Sequence, residues 1–236
     1  MAAIALDGPR QVTASGRPAK QLVVLLHGLG SDGADIGMLA PAFAQALPHA
    51  AFVAPDAPFF ADAERTARQW FPIGDMPVAQ LHAGIEVAAA ALRDFVEAER
   101  QRLRLLPRQV ALAGFSQGAM LALWTAFRHD PGPGAVLAYA GALVGDTRLP
   151  DEMRWKPPVL LVHGTEDDVI APGYSQSAER ALQSLGVPVR ALFRRGLGHR
   201  LDSECIAAGA AFLADWAEGK LVPAAPRALR VGTAAS

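Results

Sequence analysis

Ser116 stands at the centre of Gly114-Phe115-Ser116-Gln117-Gly118, directly behind the apolar run Val110-Ala111-Leu112-Ala113. A serine hydroxyl is a poor nucleophile until a base takes its proton, and that base needs a third group to hold its tautomer. The spacing supplies the first requirement. A buried strand that turns at once into a helix leaves no room for side chains beside the turning residue. Gly114 and Gly118 remove those side chains, so Ser116 is expected on a tight, strained strand-to-helix turn with its hydroxyl exposed. The following Ala119–Trp124 propagates as a helix, and its N-terminal N–H groups point toward the chemistry. By itself G-x-S-x-G arises by chance in a glycine-rich chain; between a strand and a helix it has the context its mechanism needs.

The chain must then offer a base and an acid on loops beyond other strands. Of the six histidines, His199 stands in Arg-Gly-Leu-Gly-His-Arg, after the last strand run and before the last helix. A glycine-flanked loop there is able to lay an imidazole over the serine. The acid is sought in His163-Gly164-Thr165-Glu166-Asp167-Asp168-Val169-Ile170, behind the run Val159–Val162. Asp167, fifth in the H-G-x-x-D run, is the choice over Asp168 and Glu166, which read as a turn residue and a solvent-facing neighbour. His163 reads as a structural residue at a strand end. The order Ser116, Asp167, His199 is that of the α/β-hydrolase arrangement. An oxyanion would need donors. The Gln117 N–H supplies one, and the Leu29 N–H in His27-Gly28-Leu29-Gly30-Ser31-Asp32-Gly33 supplies the second. That glycine-rich loop lacks both the G-x-G-x-x-G fingerprint and a P-loop lysine, so phosphate binding is the weaker reading.

The elements that must position these groups are legible as a rhythm. Continuous aliphatic runs at 22–26, 51–54, 110–113, 136–140, 159–162 and 189–193 predict strands buried on both faces. Helix-length segments at 34–47, 78–103, 117–128, 174–185 and 203–216 alternate with them. The pattern predicts an α/β fold with a mostly parallel central sheet, helices on both faces and no separate cap domain. Residues 1–218 are expected to form one domain and 219–236 a tail containing Pro223 and Pro226. The connection from Pro55 to Pro77 is long and rich in aromatic residues, which argues for a functional loop.

Composition narrows the partners. The chain has 236 residues, 51% hydrophobic and 19% charged, with a net charge of −1. Arg100, Arg102, Arg104 and Arg108 cluster among carboxylates at a helix end, so no nucleic-acid partner is expected. The single cysteine, Cys205, allows no internal disulfide framework, and no metal or other cofactor is called for. No apolar run approaches the length of a membrane span. The first residues lack a basic start, and a cytoplasmic protein is expected.

With these residues in place, the chain resembles the phospholipase/carboxylesterase family of the α/β-hydrolases, which includes the acyl-protein thioesterases. The matching segments are LLHGLGSDG at 25–33, VAPDAP at 53–58, RQWFPI at 68–73, GFSQGAMLAL at 114–123, HGTEDDVI at 163–170 and GLGH at 196–199. They occur in the family's order and span about residues 20 to 216. The resemblance implies a serine hydrolase without a metal, often dimeric, acting on small-molecule carboxylic esters and sometimes thioesters. It supports Ser116, Asp167 and His199 as the triad and Leu29 and Gln117 as oxyanion donors, and it implies that Trp70 and Phe71 lie beside the site. Two departures stand out: Asp168 occupies a position where the family often has proline, and Asp62, Glu64, Arg65 and Arg68 charge the stretch before Trp70. Trp70, Phe71, Val169 and Leu197 are expected to contact the acyl group, with Leu29, Phe59 and Phe60 nearby; Leu143 and Val144 read better as core. Without a cap the groove is expected to be open and suited to short or medium acyl chains. An acyl thioesterase or lysophospholipase would use the same residues. A non-catalytic hydrolase-fold binding protein would typically lack at least one triad member.

Overall fold

Leu22, Val24 and Leu26 face one side of a strand and Val23 and Leu25 the other, and all five are buried. Such a strand needs helices on both faces. The computed structural model describes residues 4–62 and 65–221. In chain order the elements are β1 (Arg10–Gln11), β2 (Gln21–Leu26), α1 (Gly33–Gly37), α2 (Ala40–Ala46), β3 (Ala50–Val53), β4 (Phe59–Phe60) and β5 (Arg68–Gln69). Then come α3 (Val78–Arg102), β6 (Val110–Phe115), α4 (Gln117–Phe127), β7 (Ala135–Tyr139), α5 (Leu149–Glu152), β8 (Val159–Gly164), α6 (Gly173–Ser184), β9 (Val189–Arg194) and α7 (Ser203–Ala217).

The main sheet has the order β1-β3-β2-β6-β7-β8-β9, parallel except for the β1–β3 pair. Helices α3, α4 and α6 pack on one face, and α1, α2 and α7 on the other. The fold is that of the α/β-hydrolases. Chain order places β3 on one side of β2 and β6 on the other. The carboxyl ends of β2 and β6 therefore flank the point where the sheet changes its direction of growth, the place where open α/β sheets bind ligands.

Several expectations are revised. The single helix over 34–47 is two helices, α1 and α2. Pro41 has no N–H for the carbonyl of Gly37, and the chain turns through Met38 and Leu39 on short bonds back to Asp35 and Ile36. Strand β3 spans Ala50–Val53, one residue earlier than the aliphatic run at each end, and the Ala54 N–H bonds the carbonyl of Pro9 beside β1. Edge strand β1 carries no aliphatic run that would announce it. Arg10 ties it to α3 through two hydrogen bonds to Glu99, at 2.9 and 2.8 Å. The long connection contains the small β4–β5 hairpin. Of the expected tail, residues 222–236 lie outside the described residues. Cys205 is buried in α7, and burial pushes its thiol up to about 11, as befits an inert core residue.

Candidate active site

Ser116 ends β6 and opens α4 with φ 54° and ψ −118°. That left-handed backbone stores about 1–3 kcal/mol in a non-glycine residue. It is anchored on both sides: the Ser116 N–H donates to the carbonyl of Tyr139 (2.8 Å), and the Ser116 carbonyl accepts from Ala119 and Met120 (3.0 and 3.1 Å). The flanking glycines are sterically required. A Cβ on Gly114 would stand 2.3 Å from the carbonyl oxygen of Gly118, and one on Gly118 would stand 2.2 Å from that of Leu26.

His199, in the loop between β9 and α7, sets its Nε2 3.0 Å from Ser116 Oγ and its Nδ1 2.7 Å from Asp167 Oδ2. A carboxylate only accepts, so Nδ1 carries the ring proton and Nε2 offers a lone pair to the serine hydroxyl. The Phe115 ring packs against the imidazole at 4.8 Å between centroids. Asp167 is buried, whereas Glu166 and Asp168 are exposed. Its Oδ1 accepts from the N–H groups of Val169 and Ile170 at 3.0 and 2.8 Å. Burial alone would raise the Asp167 pKa; the bonds from His199 and from the Ile170 and Val169 amides outweigh it and hold the carboxyl below its ordinary value.

The Gly28 loop abuts this group: a Cβ on Gly28 would lie 3.4 Å from Ser116 Cβ and 3.2 Å from the Phe115 ring. Among the described residues, neither the Leu29 N–H nor the Gln117 N–H donates a hydrogen bond within the protein. Both donors remain open to a ligand.

A web of bonds holds that loop; the sequence does not single out His27, Asp56, Ala57 or Arg68 for it, and it offers Gln117, Trp70 and Phe71 for other tasks. His27 is buried, with Nε2 accepting from the Ala57 N–H (2.9 Å) and Nδ1 donating to the Gly28 carbonyl (2.7 Å). Burial lowers its pKa, in keeping with this neutral form. Arg68 bonds the Ala57 carbonyl (3.0 Å) and pairs with Asp56 (3.2 Å), which in turn accepts from the Gly33 N–H (2.9 Å). The Gly30 N–H reaches the Arg68 carbonyl at 2.8 Å. The Gln117 side chain accepts from the Trp70 N–H and donates to the Phe71 carbonyl, both at 2.8 Å. The hint in the sequence is that VAPDAP matches the family with no task of its own and that RQWFPI matches beyond Trp70 and Phe71.

The expected acyl contacts need correction. Trp70 and Phe71 are adjacent to the elbow but expose no surface (0% each). Trp70 faces inward because its indole N–H donates to the His27 carbonyl (2.9 Å). These two rings therefore back the loops and offer substrate nothing in this conformation. Leu197, 5% exposed, belongs to the core cluster of α1, α2 and α7. Val169 and Leu29, at 63% and 47% exposure, do present surface. Phe60 is half-buried beneath the guanidinium groups of Arg65 and Arg68. Leu143 and Val144 pack on the core of the α3–α4 face.

Comparison with known proteins decides the family. The phospholipase/carboxylesterase family model matches residues 8–217. The chain belongs to the phospholipase/carboxylesterase family. Among its relatives, esterase YpfH of Escherichia coli K12 is 28% identical over 197 residues, covering 81% of each chain. Acyl-protein thioesterase 1 of Saccharomyces cerevisiae is 29% identical over 185 residues, covering 73% of this chain and 82% of the yeast protein. The crystal structure of esterase PE8 superposes with a TM-score of 0.84 at 37% identity, covering 90% of this chain and 99% of that one. This member of the phospholipase/carboxylesterase family is thus a carboxylic ester hydrolase of the esterase and acyl-protein thioesterase type. Among the described residues, no helix is long and apolar enough to cross a membrane.

Proposed function

We propose that this phospholipase/carboxylesterase is a serine carboxylesterase that hydrolyses short- to medium-chain esters through an acyl-enzyme on Ser116. The observation that carries the reading is the unbroken line Ser116 Oγ–His199 Nε2 and His199 Nδ1–Asp167 Oδ2, at 3.0 and 2.7 Å, on a strained elbow. His199 takes the Ser116 proton as Oγ attacks the ester carbonyl. The resulting oxyanion is met by the open N–H groups of Leu29 and Gln117, each worth about a hundred- to a thousandfold in rate. The imidazolium, steadied by Asp167, returns its proton to the leaving alcohol. Water then hydrolyses the acyl-enzyme by the same route. Ser116, Asp167 and His199 are the catalytic residues, and Val169 and Leu29 form part of the substrate rim.

Chain length follows from what covers the site. The stretch 1–218 is read as one domain; among the described residues no cap is inserted between the strands of the main sheet, and the exposed rim at Leu29 and Val169 suits an open groove. A series of p-nitrophenyl esters from acetate to palmitate, assayed with the wild type and Ser116→Ala, tests this. Activity peaking at short or medium chains is the expected result; a peak at palmitate would overturn the chain-length reading.

The yeast relative's name, acyl-protein thioesterase 1, favours a second reading in which the same residues cleave thioesters. Matched oxygen esters and thioesters of one acyl group separate the two by kcat/KM. A homodimer is proposed on the family resemblance, and light scattering during gel filtration measures it.

A further inference from the structure

His163 is the penultimate residue of β8, four residues before Asp167, and its side chain is completely buried. Its Nε2 lies 2.8 Å from the Ile170 carbonyl oxygen and 3.2 Å from Asp167 Oδ2. Both neighbours only accept, so Nε2 carries a proton; it donates to the Ile170 carbonyl, and Asp167 Oδ2 lies close by without a hydrogen bond. On the other side of the ring, Nδ1 lies 2.6 Å from the hydroxyl of Ser175, a buried residue in the first turn of α6. That hydroxyl stands 3.2 Å from the Gly141 carbonyl, and Gly141 in turn lies against the elbow, where a Cβ on it would be 3.2 Å from the Ser116 carbonyl oxygen. Asp167 is thereby held from two sides. The Val169 and Ile170 amides hold Oδ1 and His199 holds Oδ2 at 2.7 Å, while His163 anchors Ile170, whose N–H is one of those donors.

We propose that His163, its ring fixed by Ser175, is a positioning residue that holds the Asp167 carboxylate in the orientation His199 requires. The inference rests on the triad reading of Ser116, Asp167 and His199. Without the His163 donor, the Ile170 carbonyl loses its partner, and the 167–170 turn whose amides hold Oδ1 is free to shift. His199 then loses the restraint that aims Nε2 at Ser116. A misplacement of about 1 Å in such a base is enough to lower turnover about a hundredfold. No substrate contact is involved, so KM stays where it was.

The test compares His163→Leu, His163→Gln and Ser116→Ala in hydrolysis of p-nitrophenyl butyrate and in the rate of labelling by a fluorophosphonate. His163→Leu is expected to lower kcat and the labelling rate about a hundredfold at unchanged KM. His163→Gln, whose amide N–H reaches toward the Ile170 carbonyl, is expected to recover about tenfold of that loss. Wild-type kcat in a folded His163→Leu protein, or equal impairment in both variants, overturns the proposal. If His163→Leu fails to fold by circular dichroism, Ser175→Ala decides: reduced kcat at constant KM supports the role, and wild-type kcat refutes it. Ser116→Ala keeps the two readings apart. Undiminished activity there refutes the triad itself, whereas an inactive Ser116→Ala beside an unimpaired His163→Leu refutes only the role given to His163.

Discussion

At the scale of single residues, the geometry separates groups that meet substrate from groups that aim them. Gln117 has both roles in the proposed mechanism: its N–H is the proposed oxyanion donor, while its side chain grips the backbone of Trp70 and Phe71. Gln117→Ala leaves those two buried backbone groups unpartnered, at about 1–3 kcal/mol each. Its thermal midpoint, read by calorimetry, is expected to fall by several degrees and kcat/KM to fall with it; an unchanged midpoint would show that the clamp carries no weight. Residue chemistry was partly legible. Ser116, Asp167 and His199 could be read because each sits at a fixed offset from a strand end. The inward turn of Trp70 and the reach of His163 to Asp167 could not, since both depend on side-chain directions set by distant partners, the His27 carbonyl and Ser175. Aromatic residues near a site signal proximity, and they read the same whether they face substrate or core.

Elements were more legible than their ends. Aliphatic runs mark strands buried on both faces, so the parallel core of the sheet was visible from β2 to β9. Edge strand β1 was not, because it is held by one antiparallel pairing and by the Arg10–Glu99 bonds, neither of which leaves an apolar run. The break between α1 and α2 was signalled by Pro41, which the hydrophobic spacing obscured. The elbow is the element with least freedom. Gly118→Ala would drive a methyl group into the Leu26 carbonyl at 2.2 Å, a backbone atom that no rotamer change relieves. Overpacking of this kind costs about 1–3 kcal/mol or more. The variant is expected to yield little folded protein and to lose fluorophosphonate labelling, and full labelling of a folded Gly118→Ala protein would contradict this account of the turn.

For the whole molecule, pH joins stability to the same set of contacts. Burial depresses His27, so it is neutral when folded, while the unfolded chain takes up a proton below its ordinary value of 6.5. Burial opposes ionisation of Glu99 and Glu152, but Arg10 and Arg102 on the first and Arg128 on the second hold both below 4.5. Arg194 and the Cys205 amide lower Asp202 below 3.8. Each of these folded values is depressed, so each contribution is present above the unfolded pKa and is lost as pH falls through the folded one. The thermal midpoint is expected to fall gently below about pH 6.5 and steeply below about pH 4.5. A midpoint rising on acidification would contradict the assignments. The sheet itself places the reactive groups, with the loops after β2, β6, β8 and β9 all opening on its carboxyl edge, where the direction of strand growth changes. The most direct test of the serine mechanism is to label the intact protein with a fluorophosphonate, locate the adduct by peptide mass spectrometry and repeat the reaction with Ser116→Ala. An adduct on Ser116 alone, with labelling and ester hydrolysis both abolished in Ser116→Ala, is the expected result. An adduct elsewhere, or hydrolysis that survives the substitution, would contradict the assignment of Ser116 as nucleophile.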